Sequence, residues 1–141
     1  MRISEVLRNK GFAVATIGPT STVAEMLAEL ARHDIGALVV VDMGAVVGIV
    51  SERDVVRRLN DRGPQTLDAP VSEIMTTDVL TCPQDYSVDA LARTMVQRHI
   101  RHMPVVVDGE LVGIVSLGEV GKNRIDELET EREWLHLYIS S

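Results

Sequence analysis

Ser51, Arg53 and Asp54 stand in the stretch GIVSERD (48–54), where a run of β-branched residues passes directly into helix-forming ones. A helix that begins there presents free N–H groups and the positive end of its dipole, which together favour an anion such as phosphate. Ser51 can donate or accept a hydrogen bond at that point. Asp54, one turn on, can accept two hydrogen bonds from vicinal hydroxyls such as those of a ribose. The same word returns as GIVSLGE (113–119), with Ser116 and Glu119 in the corresponding places. Both Ser-x-x-Asp and Ser-x-x-Glu are also capping boxes, in which serine and acid satisfy each other's backbone N–H groups. For Ser116 and Glu119 capping is the stronger reading, because Glu119 has a longer, less pre-positioned arm.

Other reactive side chains form no constellation. The histidines at 33, 99, 102 and 136 show no His-x-x-x-His spacing, and no Cys-x-x-Cys pair exists, so surface or helix-end positions are expected and no metal. Asp34 with Asp54, or Glu52 with Asp54, can be written as a carboxylate pair, but nothing in the sequence raises the pKa of either member. No nucleophile elbow, Walker loop or GxGxxG is present, so an enzyme is not expected. Met26, Met75, Met95 and Met103 fall in core phase rather than along a binding groove.

The elements that must position these residues come as a tandem repeat. Residues 14–60 moved along by 65 positions register without a gap: Val14 and Thr16 fall on Val79 and Thr81, Ile35 on Ile100, Val47–Ser51 on Val112–Ser116, and Val55 on Val120. The preceding segments also match, ISEVL (3–7) with VSEIM (71–75), at a spacing that differs by three. In each copy a short extended piece (14–17, 79–82) leads through a proline to an amphipathic helix. Its apolar residues are Val23, Met26, Leu27, Leu30 and Ala31 in copy one, and Val88, Leu91, Ala92, Met95 and Val96 in copy two. Thr22 and Ser87 are the expected N-caps. Two β-branched runs joined by DMGA or DGE then read as a hairpin, and a second helix follows. The predicted order is β-α-β-β-α, twice.

A unit of roughly 60 residues buries a poor fraction of its surface, so the two copies are expected to pack together as an α+β body with pseudo-two-fold symmetry. The predicted organisation is repeat one with an N-terminal helix (1–62), a linker (63–70), repeat two (71–125) and a C-terminal helix (126–141). In that last helix Ile125, Leu128, Leu135 and Ile139 make a heptad-like stripe. Trp134, Leu137 and Tyr138 add apolar area in a chain with only four aromatic residues. A second subunit is the expected cover, with folding back on its own module as the alternative.

Composition narrows the setting. A chain of 141 residues with 45% apolar content can bury an ordinary core, and its net charge of −7 argues against nucleic acid. Asp42 interrupts the longest apolar run, so no membrane span is expected. A single cysteine, Cys82, and the lack of an apolar leader fit a cytoplasmic protein.

The order of elements, with HDIGALVVVD, HIRHMPVVVDG and GIVSERD, resembles a tandem pair of cystathionine-β-synthase (CBS) domains, a Bateman module, over residues 3 to about 125. The resemblance implies a regulatory module that binds an adenosyl ligand (AMP, ADP, ATP, NAD(H) or S-adenosylmethionine) in the clefts between copies, with no obligatory cofactor. It implies homodimerisation into a disc and an unknown regulated protein as a further partner. It gives Ser51 and Asp54 phosphate-side and ribose roles, and makes Ile35, Gly36 and Ala37 the adenine wall with Thr16 and Ile17 on the entering strand. The RHMP stretch (Arg101, His102, Met103, Pro104) then carries phosphate-reaching cations at Arg101 and His102, and Arg53 is a candidate for the opposite cleft. Ser116 and Glu119 mark a second site expected to be weaker or empty. A ligand-free interaction module, in which Ser51 and Asp54 only cap a helix, is the competing reading. A nucleotide-hydrolysing enzyme is a third and weaker one.

Overall fold

The computed structural model describes residues 1–11 and 13–140. The elements are α1 (Ile3–Lys10), β1 (Thr16–Ile17), α2 (Val23–His33), β2 (Ala37–Asp42), β3 (Ala45–Ser51), α3 (Glu52–Arg62), two 3-10 turns (Gly63–Asp68, Val71–Glu73), α4 (Val88–Arg98), β4 (His102–Val107), β5 (Glu110–Ser116) and α5 (Leu117–Ser140). They form two compact units. One comprises Ala13–Leu80 with Asp108–Leu111, the other Met1–Phe12, Thr81–Val107 and Val112–Ser141.

In the first unit β1 pairs parallel with β2, Ile17 opposite Val40, and β2 pairs antiparallel with β3 from Ala37 opposite Ser51 to Asp42 opposite Ala45. The hairpin turns on Met43 and Gly44, both at positive φ (51° and 81°), the conformation that a two-residue turn between twisted strands requires. Thr22 caps α2 by accepting from the Glu25 amide at 3.1 Å, and Asp34 ends it in the left-handed region. Val23, Met26 and Leu30 from α2 pack with Ile17, Leu38, Val40, Val50, Val55 and Val71 as the core. Ala31, at the edge of the predicted stripe, is exposed.

The second repeat follows the same plan, with β4 paired to β5 and the turn on Asp108 and Gly109, again both at positive φ. Ser87 caps α4 through the Ala90 amide, and Val88, Leu91 and Met95 are buried, while Val96 at the stripe's edge is exposed. The strand expected over 79–82 shrinks to a single parallel bridge, Cys82 to Val105. Pro104 occupies the register position that Val39 holds in the first unit and has no N–H to give the ladder, so pairing cannot extend.

The leader segments change the organisation expected from sequence. Helix α1, grouped there with residues 1–62, lies in the unit of the second repeat, and residues 71–75 lie in the unit of the first. The hydrogen bonds correspond one for one. Ile3 N–H donates to Tyr86 O (2.9 Å) as Val71 N–H does to Ser21 O (2.7 Å), and Ser4 N–H to Gln84 O (2.7 Å) as Ser72 N–H to Pro19 O (3.0 Å). Val88 N–H donates to Met1 O as Val23 N–H donates to Ala69 O. Ile3, Val6 and Leu7 are thereby buried. The C-terminal helix expected at 126–141 is the continuation of α5, an unbroken helix from Leu117 to Ser140. No proline and no left-handed glycine interrupts its run of helix formers, and Gly121 is tolerated inside it.

Candidate ligand-binding site

Ser51 is the last residue of β3 and the N-cap of α3, so its position is set by the strand and its side chain by the helix. The pairing of Ala37 with Ser51 places the start of β2 beside this junction, and the Glu52 amide closes it by donating to Gly36 O at 3.0 Å. Ile35, Gly36, Ala37, Ser51, Arg53 and Asp54 therefore meet at one end of the three-stranded sheet, with Thr16 on the neighbouring strand opposite Val39. Thr16, Ile35 and Arg53 are exposed, and Gly36, Ser51 and Asp54 are half-buried. Ala37 is buried, and the Ile17 side chain belongs to the core, so a ligand could reach only its backbone.

The acid is held by the serine. Asp54 Oδ2 accepts from the Ser51 amide at 2.8 Å and from the Ser51 hydroxyl at 3.0 Å, while the Asp54 amide donates to Ser51 Oγ at 3.4 Å. The capping reading of this pair is thus realised, and two of the first three amides of α3 are already committed. What remains for a ligand is a half-buried carboxylate of fixed orientation next to the exposed Ile35, an acceptor for hydroxyls beside an apolar surface. The helix N-terminus offers less to an anion than the sequence pattern suggested.

In the second repeat Arg101 precedes β4 and His102, Met103 and Pro104 begin it, and the Leu117 amide donates to Arg101 O at 2.8 Å as Glu52 does to Gly36. Arg101 is exposed and His102 half-buried, whereas Met103 and Pro104 are buried and belong to the packing. Ser116 and Glu119 form the matching box, the Ser116 amide to Glu119 Oε1 at 3.1 Å and the Glu119 amide to Ser116 Oγ at 3.2 Å. A residue that sequence reasoning missed joins them: Lys10 Nζ donates to Glu119 Oε1 at 2.9 Å and to Ile114 O at 2.6 Å. The likeness of ISEVL to VSEIM marks this leader as part of a repeat, but nothing in it points to a cation at Glu119.

A cavity of about 420 Å³ lies elsewhere in the first unit, lined by Arg58, Arg62, Gln65, Thr66, Ala69 and Glu73 near the C-terminal end of α3. Burial pushes the Cys82 thiol up to about 11, which keeps it neutral at physiological pH. His99 is the left-handed C-cap of α4, a helix-end position. Among the described residues no three His, Cys, Asp or Glu side chains are grouped to hold a metal, and no helix is long and apolar enough to cross a membrane.

The family profile of the CBS domain matches residues 3–61 and again 71–122. The chain belongs to the CBS-domain family. The CBS pair is similar to the CBS domain-containing protein YhcV of Bacillus subtilis, 34% identical over 112 residues that cover 79% of each chain. Among solved structures it resembles a CBS-domain containing protein from Agrobacterium tumefaciens, with a TM-score of 0.86 and 38% identity over 88% of this chain and 99% of that one. It also resembles a CBS domain protein from Pyrobaculum aerophilum complexed with AMP, with a TM-score of 0.75 and 32% identity over 84% and 89% of the two chains.

Proposed function

We propose that this CBS pair is a regulatory module that binds an adenine nucleotide (AMP, ATP or NAD(H)) and changes its conformation or its affinity for a partner protein on binding. The observation that carries the reading is the Asp54 carboxylate, half-buried and oriented by two bonds from Ser51 beside Ile35, Gly36 and Ala37. A carboxylate so held can accept both hydroxyls of a ribose, and the exposed Ile35 offers an apolar face to a purine. The AMP complex of the similar Pyrobaculum protein supports the ligand class. Arg101 and His102 are proposed to meet the phosphates, with Arg53 in the same role.

The test is calorimetric titration of AMP, ATP, NAD and NADH into the wild type and Asp54→Ala. Binding that the substitution abolishes, with the fold retained, is the expected result. The absence of binding by the wild type at millimolar nucleotide refutes the reading. It would leave the second one, a ligand-free interaction module, which the capping bonds between Ser51 and Asp54 favour.

The exposed apolar residues at the end of α5 are proposed to meet a second copy of the chain, making the module a homodimer.

A further inference from the structure

We propose that Lys10 closes the second repeat to the ligand that the first repeat takes, so that each chain holds one nucleotide rather than two. The inference rests on the reading of Asp54 as a ribose acceptor. The two Ser-acid corners are built alike, with the same amide-to-carbonyl bond (Glu52 to Gly36, 3.0 Å; Leu117 to Arg101, 2.8 Å) and the same serine-to-acid exchange. They differ in what else the acid holds. The donors to Asp54 Oδ2 are the amide and hydroxyl of Ser51, whereas Glu119 Oε1 takes the Ser116 amide and the Lys10 ammonium.

The ammonium is fixed in place rather than resting there. It also donates to Ile114 O on β5 at 2.6 Å, and about two-thirds of each partner's side chain is shielded, with 32% of Lys10 and 31% of Glu119 exposed. The helix that carries it cannot shift freely, because Leu7 is fully buried against Gly113 and Ile3 and Ser4 are bonded to the loop before α4. A pair of ribose hydroxyls arriving at Glu119 meets a carboxylate whose charge the Lys10 ammonium already pairs, whereas the donors held by Asp54 Oδ2 are both neutral. The position matching Lys10 in the other leader, 68 residues on, is Asp78, which offers no cation to Asp54. The asymmetry between repeats is therefore written into the leaders as much as into Asp54 and Glu119.

The experiment is titration of AMP into the full chain, read for stoichiometry. The wild type is expected to bind one AMP per chain and Lys10→Met two. Asp54→Ala is expected to bind none, and Asp54→Ala with Lys10→Met to regain one, which Glu119→Leu then removes. Two AMP per wild-type chain overturn the proposal, as does a Lys10→Met protein that still binds only one. Should Lys10→Met fail to fold, Lys10→Gln keeps a donor for Ile114 O while removing the charge, and its stoichiometry is read the same way. If AMP binds neither the wild type nor any variant, the reading of Asp54 falls together with this one. If it binds the wild type once, through Asp54, and Lys10 variants change nothing, only the role of Lys10 falls.

Discussion

The Leu7 side chain covers Gly113 so closely that a Cβ there would lie 2.7 Å from Leu7 Cδ2, just as one on Gly48 would lie 2.6 Å from Met75 Sδ. Gly48 and Gly113 are the glycines of the repeated GIVS, and Leu7 and Met75 are the matching residues of the repeated leader. The word recurs because the last strand of each copy must admit a leader side chain against its backbone. The second repeat takes its leader from the start of the chain.

Gly48→Ala and Gly113→Ala should each destabilise by about 1–3 kcal/mol through overpacking. Gly48→Ala should cost more, because its Cβ also meets the backbone oxygen of Thr76 at 3.0 Å, and that oxygen is fixed by the Ile49 to Thr76 bonds. Leu7→Ala combined with Gly113→Ala should cost less than the sum of the two single changes, whereas Leu7→Ala with Gly48→Ala should be additive. Urea unfolding of the wild type and these five variants measures this, and additivity at Leu7 and Gly113 would contradict the close contact.

Ser51→Ala removes the cap of α3 and both of its hydroxyl bonds, and should lower stability by about 0.5–2 kcal/mol. Under the nucleotide reading it should also weaken AMP binding by freeing Asp54 to rotate, though less than Asp54→Ala does. Equal stability loss with unchanged AMP affinity would separate capping from binding and count against the site.

Much of this architecture was legible because local signals agree with one another. The helical phase of Met26 and Leu30, the Asp108–Gly109 turn and the caps Thr22 and Ser87 each act within a few residues, and each stands where the pattern put it. The place of α1 was not legible, since Ile3 finds its partner at Tyr86 and no periodicity links the two. The strand at 79–82 was misjudged because its own residues suit a strand. The deficit lies in its neighbour Pro104, across the register. At the site, the type and spacing of Ser51 and Asp54 were visible, but a cation reaching Glu119 from Lys10 depends on tertiary packing alone.

Cys82 reports on the second unit through pH. Its folded pKa, raised by burial to about 11, lies above its value in the unfolded chain. The neutral thiol therefore contributes stability that is fully present below the unfolded pKa, and that is lost as the pH rises through the folded one. The wild type should lose stability between about pH 9 and 11, and Cys82→Ala should lose less across that window. A thiol reagent at pH 8 should modify the native chain far more slowly than the denatured one, as 4% exposure demands. Fast native modification would place Cys82 at the surface instead.

Beyond Glu127, every described side chain of α5 as far as Ile139 is exposed, among them Trp134 (70%), Leu135 (63%) and Ile139 (81%). A helical tail whose side chains are exposed in this way is marginal in water, so a cover is needed for it to persist. With Ile125 and Leu128 at the a and d positions of a heptad, Leu135 and Ile139 continue the seam. Arg124 and Glu129 then fall at g and e, as in a second pair do Glu131 and His136. A parallel second copy would set each g residue beside the opposite charge at e, with the second pair charged only when His136 is protonated. Light scattering should accordingly give a dimer whose mass halves with Leu135→Glu or with truncation after Leu128. Helix content should fall as the dimer is diluted. A wild type that is monomeric at high concentration with α5 still fully helical would show that another surface covers the seam.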